Sequence, residues 1–454
     1  MSAWSVLPIL LAGACLPVLD NFVISMILPT IRTALGADPV DTQLVASAFS
    51  GFYAVFLITG SRLGDLFGRR RLFATGAFGF AGASLLCALA PSVGWLIAGR
   101  ALCGLSAALF APQVLASLQA LFEPAERQAA IRWLGTSFSI AGTLGFLLGG
   151  VLIAWQPFGL TWQALFAAYV PLGLVIGAGG LLIPESKNAH AQGLDPLGVV
   201  LLLGALGLLV IPLTEGRAAG WPLWSLVLLA LGPAVWAAFL GWQARLLRRG
   251  GSPLVSLDLF LEPVFVKGLV LSFFLYLAYG FLFCLALYLK TTRHLSALEL
   301  GLANLPFALA FFGVSFFVGR LSGWLGNRIL VAGFGLLAFG WSGILVSVVI
   351  GGGGVDGLGT LGMVVAGLGN GLVLPSLIRV VTGAMAPRHA GLASGVLLSV
   401  QQMGASLGVV ILGGIYFGAL AGGADPGAAL AGALGTSVAL GLGAAWLSAT
   451  LGRG

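Results

Sequence analysis

Residues 329–350 read ILVAGFGLLAFGWSGILVSVVI, twenty-two positions without a charged side chain. About twenty apolar residues at 1.5 Å per residue cross the ~30 Å hydrocarbon core of a bilayer. Strands of a membrane barrel alternate apolar and polar residues over about ten positions. This run is apolar on every face, so it reads as a helix with lipid or other helices all round it.

Thirteen further runs repeat the pattern, and loops marked by Pro, Gly and charge divide them. The expected spans are 6–30, 43–61, 72–90, 93–121, 132–154, 162–183, 197–213, 222–244, 265–289, 300–318, 329–350, 358–381, 392–418 and 427–450. The shortest, 197–213, sits at the lower limit for a spanning helix. The composition agrees: 59% of the 454 residues are hydrophobic and 8% charged, with mean hydropathy +1.08. A soluble domain carries about 25% charged residues. The fold class expected is therefore an all-α membrane protein with 14 transmembrane helices.

The net charge of +7 does not describe a nucleic-acid surface, because the basic residues lie in short loops and not on one face. They follow bilayer topology instead. With the N-terminus inside, Arg32, Arg217, Lys290 and Arg293 fall outside and Arg100 lies within a helix; the other sixteen Lys and Arg gather inside. Both termini are then cytoplasmic. The N-terminus lacks the basic flank of a signal peptide, and Asp20 interrupts its apolar run, so it reads as a retained first helix. Charge alone does not separate fourteen helices from twelve, because dropping 197–213 and 222–244 together leaves the skew intact.

An internal repeat addresses that choice. Gly104, Pro112 and Pro124 are spaced like Gly367, Pro375 and Pro387, and Ser61-Arg62-Leu63-Gly64 is echoed by Gly319-Arg320-Leu321-Ser322. The expected order is six helices (1–184), an inserted pair with its flanking loops (185–263) and six more (264–454). Parallel repeats about an axis along the membrane normal place a substrate site near midplane between the halves.

Few groups carry chemistry. The four cysteines lie in apolar runs without metal or redox spacing and read as small buried hydrophobes. His190, His294 and His389 lie in loops, so none serves as a relay within the membrane. No Gly-rich phosphate loop with Lys is present, which excludes ATP as the expected energy source. No soluble catalytic constellation appears, so the chain is expected not to be an enzyme, to need no cofactor and to hold no metal. Asp20 is the one carboxylate within the apolar layer. Insertion there costs about 2.5–3.5 kcal/mol, which marks it as functional by default. Arg100 lies at a similar depth by residue count and is its expected partner. In the second half Ala278 stands near the place of Asp20 and Met363 at that of Arg100, so proton coupling is expected in the first half alone. A fixed structural ion pair is the competing reading. Tyr53, Tyr276, Tyr279, Asn370, Gln401 and Gln402 fall near midplane and are the expected substrate-cavity set, with interhelical hydrogen bonding the alternative for each.

The loop 61–71, SRLGDLFGRRR, resembles the signature between the second and third helices of the major facilitator superfamily, with Ser61 in place of its leading glycine. Leu19-Asp20-Asn21 running to Leu28-Pro29 resembles the first-helix motif of the fourteen-helix drug:proton antiporters in that superfamily. Arg100, Gly104 and Ala108 are similar to their fourth-helix motif. Trp162 to Phe166, ending Val170-Pro171-Leu172-Gly173, is similar to their sixth-helix opening, with Gln163 where Arg is usual. Asp195-Pro196-Leu197-Gly198 and Gly391 to Val396 fit as well. The Gly-Pro that precedes a Gly-Gly pair in the antiporters' fifth helix is Gly145-Phe146 here.

The resemblance covers essentially the full length. It implies a major facilitator fold and a proton-coupled secondary transporter, a multidrug exporter of amphipathic compounds working by alternating access. The expected setting is a bacterial inner membrane and the expected state a monomer. Arg62, Asp65, Arg69 and Arg70 are then the expected cytoplasmic gate. A transporter of one metabolite or lipid, by symport or export, is the runner-up; a non-transporting sensor or scaffold is a third reading. With so little charge in the membrane, neutral, zwitterionic or delocalised monovalent substrates are expected and rigid dications are not. A monocation would lean on deprotonated Asp20.

Overall fold

The computed structural model describes residues 3–187, 193–216, 219–255, 257–326, 328–351, 356–383 and 390–451. His190, Arg217, Pro387, Arg388, His389 and Arg453 lie outside the described residues. The described chain is helical throughout, without a strand. Its helices are α1 (Ala3–Leu35), α2 (Pro39–Phe67), α3 (Arg69–Ala88), α4 (Val93–Leu121), α5 (Pro124–Trp155), α6 (Gln163–Gly180), α7 (Pro196–Ile211) and α8 (Leu223–Arg248). Then come α9 (Pro263–Ala278), α10 (Gly280–Thr292), α11 (Ala297–Ser315), α12 (Val318–Leu325), α13 (Arg328–Val349), α14 (Gly357–Gly383), α15 (Ala390–Ala421) and α16 (Pro426–Ala449).

The helix starts are written locally. Asp38 accepts the Asp41 N–H at 2.7 Å ahead of α2, with Pro39 at its first position. Asp425 and Pro426 do the same for α16, and Ser296 with Glu299 makes a capping box at α11. Such caps occupy amides that the first turn leaves free.

Among the described residues, eleven helices are long and apolar enough to cross a membrane, with α9 and α10 together counted as one. Two bent pairs add one span each: α5, turning 43° between Trp133–Gly142 and Leu147–Trp155, and α11 with α12, turning 67°. The apolar α7, at 16 residues, is shorter than these, and with it the described helices are compatible with fourteen crossings. Three expected spans are thus not continuous rods, the first being 132–154 in α5. The run 265–289 is interrupted at Tyr279, where Gly280 presses on α15: a Cβ there would lie 2.2 Å from the Gly408 carbonyl oxygen. The run 300–318 bends at Phe316 and Phe317, the two residues between α11 and α12.

The sequence repeat reappears as packing. α1 packs on α5, α2 on α4, and α3 on both α4 and α6; α9 packs on α15, α11 on α14, and α13 on both α14 and α16. The closest approaches repeat too. A Cβ at Gly104 would meet the Phe49 carbonyl oxygen at 2.2 Å, and one at Gly367 would meet that of Phe307 at 2.2 Å. Small residues at these crossings let backbones touch, which supplies packing in lipid where no hydrophobic drive separates helix from solvent. The two sets meet along α2 with α15 and α5 with α11. α7 and α8 pack on each other, and α7 leans on α2.

Candidate functional site

Asp20 and Arg100 meet inside the first set of helices. Both are fully buried. Arg100 Nη1 donates to Asp20 Oδ1 at 2.8 Å and Oδ2 at 2.7 Å, and its Nε donates to the Val45 carbonyl at 3.2 Å. The guanidinium carbon lies 4.8 Å from the centre of the Phe49 ring. α1, α4 and α2 thus converge on one ion pair. Stability is a weak reason to keep it, because replacing a buried pair by apolar residues is often neutral or stabilising by about 1–4 kcal/mol. Removing one partner is different: the charge left behind costs about 3–5 kcal/mol.

A cavity of about 180 Å³ lies between the two sets of helices. All six residues expected there line it: Tyr53 from α2, Tyr276 from α9, Tyr279 at the α9–α10 break, Asn370 from α14, and Gln401 and Gln402 from α15. Tyr279 donates its hydroxyl to Asn370 Oδ1. Asn21, Ser25 and Ser50 also line it and escaped the sequence reading. Asn21 follows Asp20 directly; a step of about 100° round the helix turns one toward the cavity and the other toward α4.

That step also corrects the expectation that a cationic substrate would lean on Asp20. Asp20 is not among the cavity's lining residues, whereas Pro17, Asn21 and Ile24 on the same helix are. A further link between pair and cavity runs through α2. Val45 and Phe49 meet Arg100, while Ala46, Ser50 and Tyr53 line the cavity. The Phe49 and Tyr53 rings lie 5.7 Å apart. On its other side α2 receives the Ser406 hydroxyl of α15, which donates to the Ser47 carbonyl at 3.2 Å.

The four expected gate residues separate into two groups. Arg69 donates to Asp65 at 2.9 Å and to the Ala116 carbonyl of α4 at 2.9 Å. Arg70 sits 3.6 Å from Glu185, the residue pressed under Gly68. Gly68 turns the chain at φ 108°, a left-handed conformation that glycine adopts freely. Arg62 points elsewhere, donating to the carbonyls of Gly193, Ser252, Pro253 and Leu254. These belong to the two segments that flank α7 and α8.

Asp195 anchors the same segments. Buried at the start of α7, it accepts from Gly198 N, Trp242 Nε1 and Gln243 Nε2 at 2.8 Å each and from Leu254 N at 3.2 Å. Desolvation pushes its carboxyl up, but these four donors outweigh that and hold it below the ordinary aspartate value.

The sequence model of the Major Facilitator Superfamily matches residues 10–409. The chain belongs to the major facilitator superfamily. It is a multi-pass membrane transporter and not an enzyme. This major facilitator is 33% identical over 421 residues to a probable actinorhodin transporter of Streptomyces coelicolor, covering 92% of this chain and 73% of that one. It is 33% identical over 433 residues to a puromycin resistance protein of Streptomyces alboniger, covering 92% and 82%. A tetracenomycin C resistance and export protein of Streptomyces glaucescens is 32% identical over 419 residues, covering 90% and 75%. Among solved structures, a bacterial homologue of the lysosomal transporter Spinster, inward-facing and unoccupied, superposes with a TM-score of 0.68 at 18% identity. It covers 99% of this chain and 96% of that one. A peptide transporter bound to sulfate gives 0.67 at 17% identity, covering 99% and 95%. At these identities the superpositions speak to the fold.

Proposed function

We propose that this major facilitator is a proton-coupled exporter of amphipathic small molecules, seated in a bacterial inner membrane and working by alternating access. The observation that carries the reading is a buried ion pair of one carboxylate and one guanidinium set behind a central apolar cavity, on helices that also line that cavity. The relatives whose names include export or resistance to antibiotics support the direction.

The residues suggest the cycle. With Asp20 ionised, Arg100 stays on it and also holds Val45 and Phe49. A proton on Asp20 removes the charge–charge attraction and leaves only a neutral hydrogen-bond acceptor, and the guanidinium then turns toward its remaining partners on α2. α2 bears Tyr53 and packs on α15, so a shift of α2 moves the cavity wall and the interface between residues 1–184 and 264–454 together. Those two segments rock as bundles in this scheme, while residues 185–263 travel with α2 through Arg62. Asp65, Arg69 and Arg70 brace the cytoplasmic ends of α2, α3 and α4. The positive-inside rule puts Arg32 on the periplasmic side, where its guanidinium over the Phe417 ring holds α1 against α15. The chain acts as a monomer, uses the proton gradient and needs no cofactor.

The test is flux. Reconstituted into liposomes, the protein should move a lipophilic dye only when a proton gradient is imposed, and a protonophore should stop it. Movement that ignores the gradient would remove the antiport reading. For orientation, a reporter inserted near residue 217 should read periplasmic; a cytoplasmic signal there would contradict the inserted pair.

A further inference from the structure

The export reading leaves the cargo open, and the cavity wall narrows it. Its lining contains no Asp, Glu, Lys, Arg or His among the described residues. The charge behind it is committed: Asp20 faces α4 and is chelated by Arg100. A permanent cation entering this cavity would lose its hydration without gaining a counterion, and burying an unpaired charge is strongly unfavourable. Aromatic rings line both sides, Phe22, Tyr53 and Phe138 from the first half and Tyr276, Tyr279 and Phe283 from the second. Ring faces favour flat ligands through stacked and edge contacts.

The polar groups are not equivalent. The Tyr279 hydroxyl donates to Asn370 Oδ1, so those two atoms are already paired. Gln401 Nε2 and Gln402 Oε1 are buried and without a hydrogen-bond partner among the described residues. Both side chains are more than nine-tenths buried and both line the cavity. One is a spare donor and the other a spare acceptor, on consecutive residues of α15. Buried polar groups of this kind are ordinarily satisfied.

We propose that the cavity takes an uncharged, flat aromatic molecule that presents an acceptor and a donor side by side at its edge, received by Gln401 Nε2 and Gln402 Oε1. Gln401 and Gln402 are specificity residues that touch the ligand. The proposal rests on the exporter reading for its biological meaning, but it is decided by binding alone. A site whose buried donor and acceptor need partners rejects an analogue that lacks them far more strongly than a site of apolar walls does.

Three probes of one tricyclic frame separate the possibilities. Phenanthridinone carries adjacent C=O and N–H groups, N-methylphenanthridinone keeps only the C=O, and N-methylphenanthridinium is a permanent cation. Binding to the purified full chain in detergent, read by calorimetry, should favour the first over the second by about tenfold or more, the equivalent of one good hydrogen bond. The cation should not displace the lactam. In Gln402→Leu, which removes the acceptor for the ligand N–H, the preference should fall toward one; Gln401→Leu, which removes the donor to the C=O that both lactams keep, should weaken both alike and leave the preference in place. It is a ratio within one preparation, so a loss of folded protein does not mimic it. Equal binding of lactam and N-methyl lactam in the native chain would overturn the proposal. So would tighter binding of the cation, no binding of any probe, a ratio unchanged in Gln402→Leu, or lactam binding unweakened in Gln401→Leu. Flux in liposomes is a separate readout: a chain that pumps but lacks the preference fails here only, and one that shows the preference but pumps nothing fails as an exporter only.

Discussion

The two halves of this protein share a packing plan and differ in buried charge. Leu19 of α1 receives Gly145 of α5, and Leu277 of α9 receives Gly408 of α15: a Cβ on each glycine would lie 3.1 and 2.4 Å from the leucine carbonyl oxygen. One residue further along, the first half has Asp20 and the second Ala278; against them stand Arg100 in α4 and Met363 in α14. All four are buried. The second half is thus built without charge where the first encloses an ion pair. A six-helix bundle of this design packs without such a pair, and in the proposed cycle the pair serves the exchange of a proton at Asp20.

The largest effect should come from making the halves alike one residue at a time. Arg100→Met strands Asp20 in the bundle, and we expect about 3–5 kcal/mol of destabilisation, seen as a lower melting temperature and poor recovery from the membrane. The double variant Asp20→Ala with Arg100→Met copies the second half. Its thermal stability should return to the native value or exceed it, while gradient-driven transport stays absent. A double variant as unstable as the single one would show that the pair is structural.

Asp195 sharpens the contrast, since it is a buried carboxylate held by neutral donors and not by a guanidinium. Asp195→Asn exchanges one acceptor oxygen for a donor against that shell and should cost about 2–3 kcal/mol, read as faster proteolysis between α6 and α9. Its folded value is depressed, so its contribution is complete above the ordinary aspartate value of about 3.9 and is lost only as pH falls through the lower folded value. Between pH 5 and 8 it is constant. A transport rate that changes across that window does not report on Asp195, and Asp195→Asn should leave the shape of the pH profile unaltered.

The smallest expected effect lies on α2. Phe49→Leu keeps the volume roughly constant but removes the ring under the guanidinium, an interaction of about 1–2 kcal/mol when desolvated. Gradient-driven flux should fall about tenfold, with ligand binding nearly unchanged. An equal fall in binding would mean that Phe49 shapes the cavity and does not link it to the pair.

Much of this was legible before any coordinates. Fourteen apolar runs, the duplicated Gly and Pro spacing and a lone carboxylate in the membrane layer are local or periodic features, and they lead to the fold and to Asp20. The six midplane residues could be found by counting because a membrane helix converts position into depth. Direction round the helix was not legible. α1 is apolar on all sides, so no period says that Asn21 faces the cavity and Asp20 faces α4. Nor does the sequence announce that Gly280 meets Gly408 and interrupts a span, or that Arg62 leaves its motif to hold the segments flanking α7 and α8. Those depend on contacts between distant parts of the chain.

The central claim is that a proton on Asp20 drives transport. Asp20→Asn is the direct test, because an amide keeps the size and a hydrogen-bond acceptor for Arg100 but cannot titrate. In liposomes with an imposed proton gradient, native protein should accumulate substrate against its concentration. The variant should bind substrate and exchange it passively across the membrane, with no response to the gradient. Uphill, gradient-dependent accumulation by Asp20→Asn would contradict the account.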